Sequence, residues 1–377
     1  GVGVAIAAGG PGAIFWCWLT GVLGMATRYS EGLLAIKYRV ENKDGNMSGG
    51  PMFVLERGMK CKWLGVAFAV FTAIAAFGIG NLTQGNAAAE QLHHAFAIPS
   101  WGTAAVLTIL TALVMLGGIR SIAKVCAFFV PFMAVIYIIG CVYILAVQSH
   151  YILPAIRYIL DCAFTGEAAA GGVVGAAVMT AMRTGVARGL FSNEAGLGSA
   201  AIASAAAQNR NPVRQALISS SGPFWDTVVI CALTGIVLTT SILAHPDISS
   251  SDGPRLTTLA FSKIPYVGSP LLTVSLVTFV VSTILGWSYF GEKALEYLGG
   301  IRLITPYRVI WVAAVFTGCV SKIDLVWVFA DCANGLMALP NLISLLALSG
   351  VLVQQTRYYL WQHRLDDYDD SHIPEGK

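Results

Sequence analysis

Charge is what this sequence has least of. Of its 377 residues only 11% are Asp, Glu, Lys or Arg, whereas 56% are hydrophobic, and mean hydropathy is +0.70. A soluble domain carries roughly a quarter charged residues, and no enlargement of its core removes the need for a wet surface. A soluble globular protein is therefore excluded. Residues 101–119 and 125–147 contain no Asp, Glu, Lys, Arg or His at all. At about 1.5 Å per residue, ~20 such residues cross the ~30 Å hydrocarbon layer. These runs read as membrane helices.

Other absences narrow the function. The eight cysteines are isolated, with no CxxC pair, so neither a zinc site nor a disulfide framework follows. No Walker A loop and no HExxH occurs, and a Gly-x-Ser-type nucleophile reading of residues 188–200 fails, because no strand precedes them and no catalytic His is at hand. The chain shows no enzyme chemistry. A net charge of +3 without a basic stripe gives nucleic acid nothing to bind. The first residues carry no Met and no basic n-region, so they make a poor signal peptide. They read as the middle of an apolar segment, which implies helices upstream.

What is present is a series of apolar runs. Hydropathy places about nine spans at 2–27, 63–89, 101–118, 125–147, 171–187, 222–243, 270–290, 309–320 and 325–353. Pro340 is expected to break or kink the last one, which otherwise divides into two shorter segments. With the loop after the first span placed inside, 19 of the 23 Lys and Arg residues fall on the inner side and four (Arg157, Arg255, Lys263, Lys322) outside. Basic residues gather on cytoplasmic loops, so the C-terminus and its acidic stretch 366–372 are cytoplasmic. Residues 188–200 then form an inner loop, and the Ser/Pro/Gly-rich stretch 244–265 an outer one.

Within the spans, three clusters stand out. Gly171, Gly172 and Gly175 interrupt an apolar run. They serve either close helix packing or a broken helix whose freed backbone groups line a cavity. Ser282 and Thr283 beside Gly286 and Trp287 offer neutral oxygen ligands to a hard cation, or they bond the carbonyls one turn back. Asn81, Gln84 and Asn86 place three amides in six residues. Amides are costly in lipid and must meet protein, water or a ligand. Asp226, Asp331 and Arg183 lie two or three turns from span ends, a poor arrangement for a proton relay.

Several stretches together carry a resemblance. Residues 9–21 (GGPGAIFWCWLTG), 46–52 (NMSGGPM), 188–200 (RGLFSNEAGLGSA), 283–292 (TILGWSYFGE) and 334–341 (NGLMALPN) resemble the alanine/glycine:cation symporter family. Cys17 stands where that family usually has Met. The resemblance implies an all-α membrane protein with a LeuT-like inverted-repeat bundle. Residues 1–160 would be the first repeat without its first helix, 161–355 the second, and 356–377 a cytoplasmic tail. The missing helix would carry part of the substrate and sodium site, so residues 1–377 alone are expected not to transport. The resemblance matches Gly171–Gly175 to the family's broken sixth core helix, and Ser282 and Thr283 to hydroxyls near a sodium site. Asn81, Gln84, Trp287 and Asn334 would join the substrate cavity.

The implied function is sodium-coupled symport of alanine or glycine in the bacterial inner membrane, with no cofactor beyond the coupling ion. Each inward charge supplies about 2.3 kcal/mol per 100 mV, enough for roughly 50-fold accumulation at ~1.4 kcal/mol per decade. The competing readings are a proton-coupled carrier, which needs a titrating carboxylate such as Asp331, and a channel, for which no filter-like repeat is found.

Overall fold

The computed structural model describes residues 1–42, 45–165, 174–321, 323–367 and 373. These are mostly helical. Among them the strands form a single two-residue antiparallel ladder, Val40 opposite Ser48 and Glu41 opposite Met47. In chain order the helices used below are α1 (Val2–Gly9), α2 (Ala13–Lys37), α3 (Lys62–Phe96), α4 (Ser100–Leu116), α5 (Gly118–Val147), α6 (Ile152–Phe164) and α7 (Val174–Asn193). They continue with α8 (Ser199–Ala205), α9 (Pro212–Ala244), α10 (Leu256–Ser262), α11 (Gly268–Gly299), α12 (Ile304–Val320), α13 (Ile323–Ala347) and α14 (Ser349–Thr356).

Six described helical stretches are long and apolar enough to cross a membrane: α3, residues 121–147 of α5, α9, α11, Ile301–Val320 and Val328–Ala347 of α13. Large apolar side chains remain exposed along them and on the shorter apolar α4, Leu116 at 82% and Leu346 at 77% among them. An apolar flank facing lipid needs no protein cover, and Trp63 and Trp101 at helix starts suit the interfacial zone.

Three sequence expectations change. The first expected span is two helices, because Gly10 (φ 71) and Pro11 stop α1 before α2 begins. Pro340 does not end the last span. Helix α13 runs through it, and the interruption falls at Leu348 instead. The inner loop expected at 188–200 is the end of α7, a five-residue break and α8.

Among the described residues π geometry occurs at Val54–Gly58 and Arg357–Trp361, and within two long helices, α3 over Ala76–Leu82 and α9 over Phe224–Cys231 directly after Pro223. Each such segment shifts the ladder by one residue and leaves carbonyls for side chains to claim.

The residues group into two compact units, each built from three stretches. These units do not follow the expected repeat boundary at 160/161, and a grouping by compactness does not test internal symmetry. The first unit holds Gly1–Thr27, Ala134–Ala195 and Ser220–Leu272. Its core includes Ile6, Ile14, Ile144, Leu238 and Phe261. Close backbone approach replaces side chains around α1 and α2: a Cβ on Gly3 would lie 2.5 Å from the Gly253 carbonyl oxygen, and one on Gly12 2.5 Å from that of Cys162. Between α9 and α11 the Lys263 ammonium, 2.7 Å from Asp247 Oδ2, holds that carboxyl below its usual range.

The second unit holds Arg28–Met133, Gly196–Ser219 and Thr273–Lys377. Leu33, Leu34, Val54, Val213 and Leu348 form one of its cores. Arg308 grips Glu292 through two hydrogen bonds of 2.7 and 2.8 Å, fixing the end of α11 to the start of α12. The start of the acidic tail is tied down, since Asn211 Nδ2 donates to the carbonyls of Arg364, Leu365 and Asp367. Residues 368–372 lie outside the described residues.

Candidate substrate and sodium sites

Gly171 and Gly172 lie outside the described residues, and Gly175 sits within helix α7. The other expected site residues all belong to the second unit, with Asn81 and Gln84 in or just after the π-widened part of α3, Ser282, Thr283 and Trp287 on α11, and Asn334 on α13.

The widened segment of α3 is glycine-rich because three helices press on it. A Cβ on Gly80 would collide with the Trp287 side chain of α11, and one on Gly78 would lie 2.9 Å from Ala330 Cα of α13. From the α12 side, the Trp311 carbonyl accepts a 2.9 Å hydrogen bond from Asn81 Nδ2. The widened ladder leaves carbonyls that side chains collect: Thr83 Oγ1 donates to the Gly78 and Ile79 carbonyls, and Gln84 Nε2 to Ile79 at 3.0 Å. Gln84 is thus engaged within its own helix. Asn86 reaches the Ser321 carbonyl at 2.7 Å.

Asn81 is fully buried, and its Oδ1 meets no donor. Asn334, one turn beyond Ala330 on α13, is 8% exposed, and its Oδ1 is also buried without a donor. Leaving a buried acceptor unpaired costs about 1–3 kcal/mol. Trp287, 2% exposed and pressed against Gly80 beside Asn81, is braced edge-on by Phe290 at 5.3 Å.

Ser282 and Thr283 lie about one turn before Trp287 on α11. Both hydroxyls donate to the Phe279 carbonyl, at 2.8 and 2.9 Å. This is the backbone-bonding alternative for these residues, and it spends only the hydrogens. The oxygen lone pairs stay available to a cation. Of the ionisable residues, Asp226 Oδ2 accepts from Ser192 Oγ at 2.6 Å and Thr227 Oγ1 at 2.9 Å within the first unit. Asp331 and Arg183 are exposed.

A further group was not anticipated from the sequence. Helix α7 stops at Asn193, and the chain passes through Glu194 (φ 54), Gly196 (φ 91) and Gly198 (φ 84) before α8. The amides of Gly196 and Gly198 donate to Glu31 Oε1 at 2.9 and 3.1 Å, and Asn341 Nδ2 donates to the same oxygen at 2.7 Å. Asn341 also donates to the Gly196 carbonyl at 2.9 Å. Two signals mark the place in the sequence: a Gly-x-Gly pair between apolar runs, and a lone acidic residue in front of Gly-Leu-Leu-Ala-Ile.

Among the described residues no cluster of His, Cys, Asp or Glu could hold a metal ion. The comparisons with known proteins point to a transporter. The model of the "Sodium:alanine symporter family" matches residues 1–372. The chain is 50% identical over 364 residues to the sodium/alanine symporter AgcS of Methanococcus maripaludis, covering 95% of this chain and 80% of that protein. It is 46% identical to an uncharacterized transporter of Haemophilus influenzae, covering 99% and 82%. A putative sodium/proton-dependent alanine carrier of Bacillus subtilis, YrbD, is 33% identical over 93% and 74%. A family match reaching residue 372, on a multi-pass helical chain with these sites, makes this protein a member of the sodium:alanine symporter family.

Proposed function

We propose that this protein moves a small neutral amino acid, alanine or glycine, across the membrane together with sodium, by alternating access of a LeuT-like inverted-repeat bundle. The observation that carries the site is the pair of buried amide oxygens without donors, Asn81 Oδ1 and Asn334 Oδ1, on helices that pack against each other at Gly78 and Ala330, with Trp287 pressed against Gly80. An amino acid's ammonium group is the donor they lack, and the indole limits the space for its side chain. Gly80 and Gly78 let the surrounding helices close in, which keeps the pocket small. Ser282 and Thr283 supply hydroxyl oxygens to sodium without a fixed charge. Gly171, Gly172 and Gly175 are assigned to the substrate's carboxylate end, where backbone N–H groups of an interrupted helix would meet it.

About nine spanning helices, a bacterial inner-membrane location and a cytoplasmic C-terminus complete the proposal. They rest on the apolar runs, on the family, and on the 19-to-4 division of basic residues. The repeats would be 1–160 and 161–355.

The test is alanine uptake by the full-length protein in vesicles from an uptake-deficient host, under an imposed sodium gradient or an imposed pH gradient. Sodium-driven uptake is expected, with Asn81→Ala and Asn334→Ala each raising the alanine KM about tenfold, as for a lost partner of a charged donor. Uptake driven by the pH gradient in the absence of sodium would overturn sodium coupling. It would favour the proton-coupled reading, which the name of the Bacillus subtilis relative keeps in view.

A further inference from the structure

The contact between Glu31 and the break after α7 is built differently on its two oxygens. Oε1 collects three donors, the amides of Gly196 and Gly198 and the side chain of Asn341. Two amides two residues apart converge on one acceptor because both glycines hold left-handed φ values, 91° and 84°. That arrangement makes a small anion-binding nest. Asn341 closes the knot by bonding Glu31 and the Gly196 carbonyl together. Space enforces it too: a Cβ on Gly198 would lie 2.5 Å from Pro51 Cγ and 3.0 Å from Asn341 Cγ.

Oε2 is the other half. Glu31 is 2% exposed, and Oε2 is buried with no donor. Three residues earlier on the same helix, Arg28 has Nε and Nη1 buried with no acceptor. Residues i and i+3 share a helix face. A carboxylate oxygen and a guanidinium that lack partners one turn apart can meet by side-chain rotation alone. Holding the break requires a single acceptor oxygen, so an amide side chain would suffice for it. The second oxygen and the nearby cation answer to a different arrangement.

We propose that Glu31 is a positioning residue for transport, holding the break at Gly196–Gly198 through one carboxylate oxygen and exchanging it for Arg28 when the break moves. In the state described here the break is held and the Arg28 contact is open. In the other, the guanidinium takes the carboxylate and releases the amides. The carboxylate has donors in both arrangements, so the segment can move without stranding a buried charge. This rests on the symport reading and assigns its moving part.

The exchange predicts opposite kinetic signatures, measured as alanine uptake normalised to protein at the membrane. Glu31→Ala frees the break in every state, leaving few molecules competent to bind; the alanine KM is expected to rise tenfold or more. Arg28→Gln removes the second partner; Vmax should fall severalfold with KM unchanged. Glu31→Gln keeps an acceptor for the amides but loses the charge that draws Arg28, so it should behave like Arg28→Gln. The double variant Glu31→Gln/Arg28→Gln should be no slower than either single one. Wild-type KM in Glu31→Ala, or additive slowing in the double variant, overturns the proposal. So does uptake that falls only in step with the amount of folded protein, because that is a purely structural role. If the wild-type protein itself shows no sodium-driven alanine uptake, the symport reading fails and this proposal falls with it. Wild-type uptake with insensitive variants sinks this proposal alone.

Discussion

Thr278 and Thr283 on α11 both bond a backbone carbonyl four residues back, at 2.8 and 2.9 Å. Only Thr283 neighbours Ser282 and Trp287, so the pair separates ion binding from helix bonding. Removing one neutral oxygen from a cation's shell costs on the order of 1–3 kcal/mol. Thr283→Ala is therefore expected to raise the sodium concentration for half-maximal uptake about tenfold to a hundredfold, with Vmax partly regained at high salt. Thr278→Ala should leave that concentration unchanged. A sodium titration of both variants decides the matter, and equal curves would make Thr283 a packing residue. The types of Ser282, Thr283, Asn81 and Asn334 mark them in the sequence, since oxygen-bearing side chains are rare in apolar runs. Glu31 was passed over because the first span was ended at Thr27, which put the carboxylate in a loop. Its partners lie 165, 167 and 310 residues away, and no local pattern reveals such distances.

Helices were legible where they are long and uninterrupted, and their breaks were not. Averaged hydropathy registers 20 apolar residues, but a break of five residues leaves the average nearly unchanged. Hence hydropathy merges the two helices on either side of Gly10–Pro11 into a single span and does not register the short helix α8 after the break. The last span does divide in two, but at Leu348, and the helix continues through Pro340. A proline frees a carbonyl and bends a helix, yet neighbouring groups in a bundle re-satisfy what it frees. The break itself makes a prediction. Gly198 holds φ 84 and faces Pro51 Cγ. Gly198→Ala adds about 1–2 kcal/mol of left-handed strain to a 2.5 Å clash. The variant should melt several degrees lower in detergent and transport poorly. A Gly335→Ala control, with nothing within 4 Å of the added Cβ, should melt near wild type.

For the molecule as a whole, the charge division predicts sidedness. A Cys at Ser250, in the loop between α9 and α10, should react with an impermeant maleimide from outside intact cells. A Cys at Asn209, in the loop between α8 and α9, should react only after permeabilisation. The reverse pattern would invert the topology. The three-stretch construction of the first unit bears on how the protein is made. Gly3 packs against the carbonyl of Gly253, 250 residues later in the chain. At the usual ~5–20 residues per second, the ribosome delivers that partner roughly 12 to 50 s after α1 has been synthesised. Until then the seat of α1 is only part built: Ala181 and Thr184, which pack on Gly9, are already made, but the wall against Gly3 is missing. A ribosome that stalls before residue 253 leaves α1 with that side uncovered, and such products are natural substrates for membrane quality-control proteases.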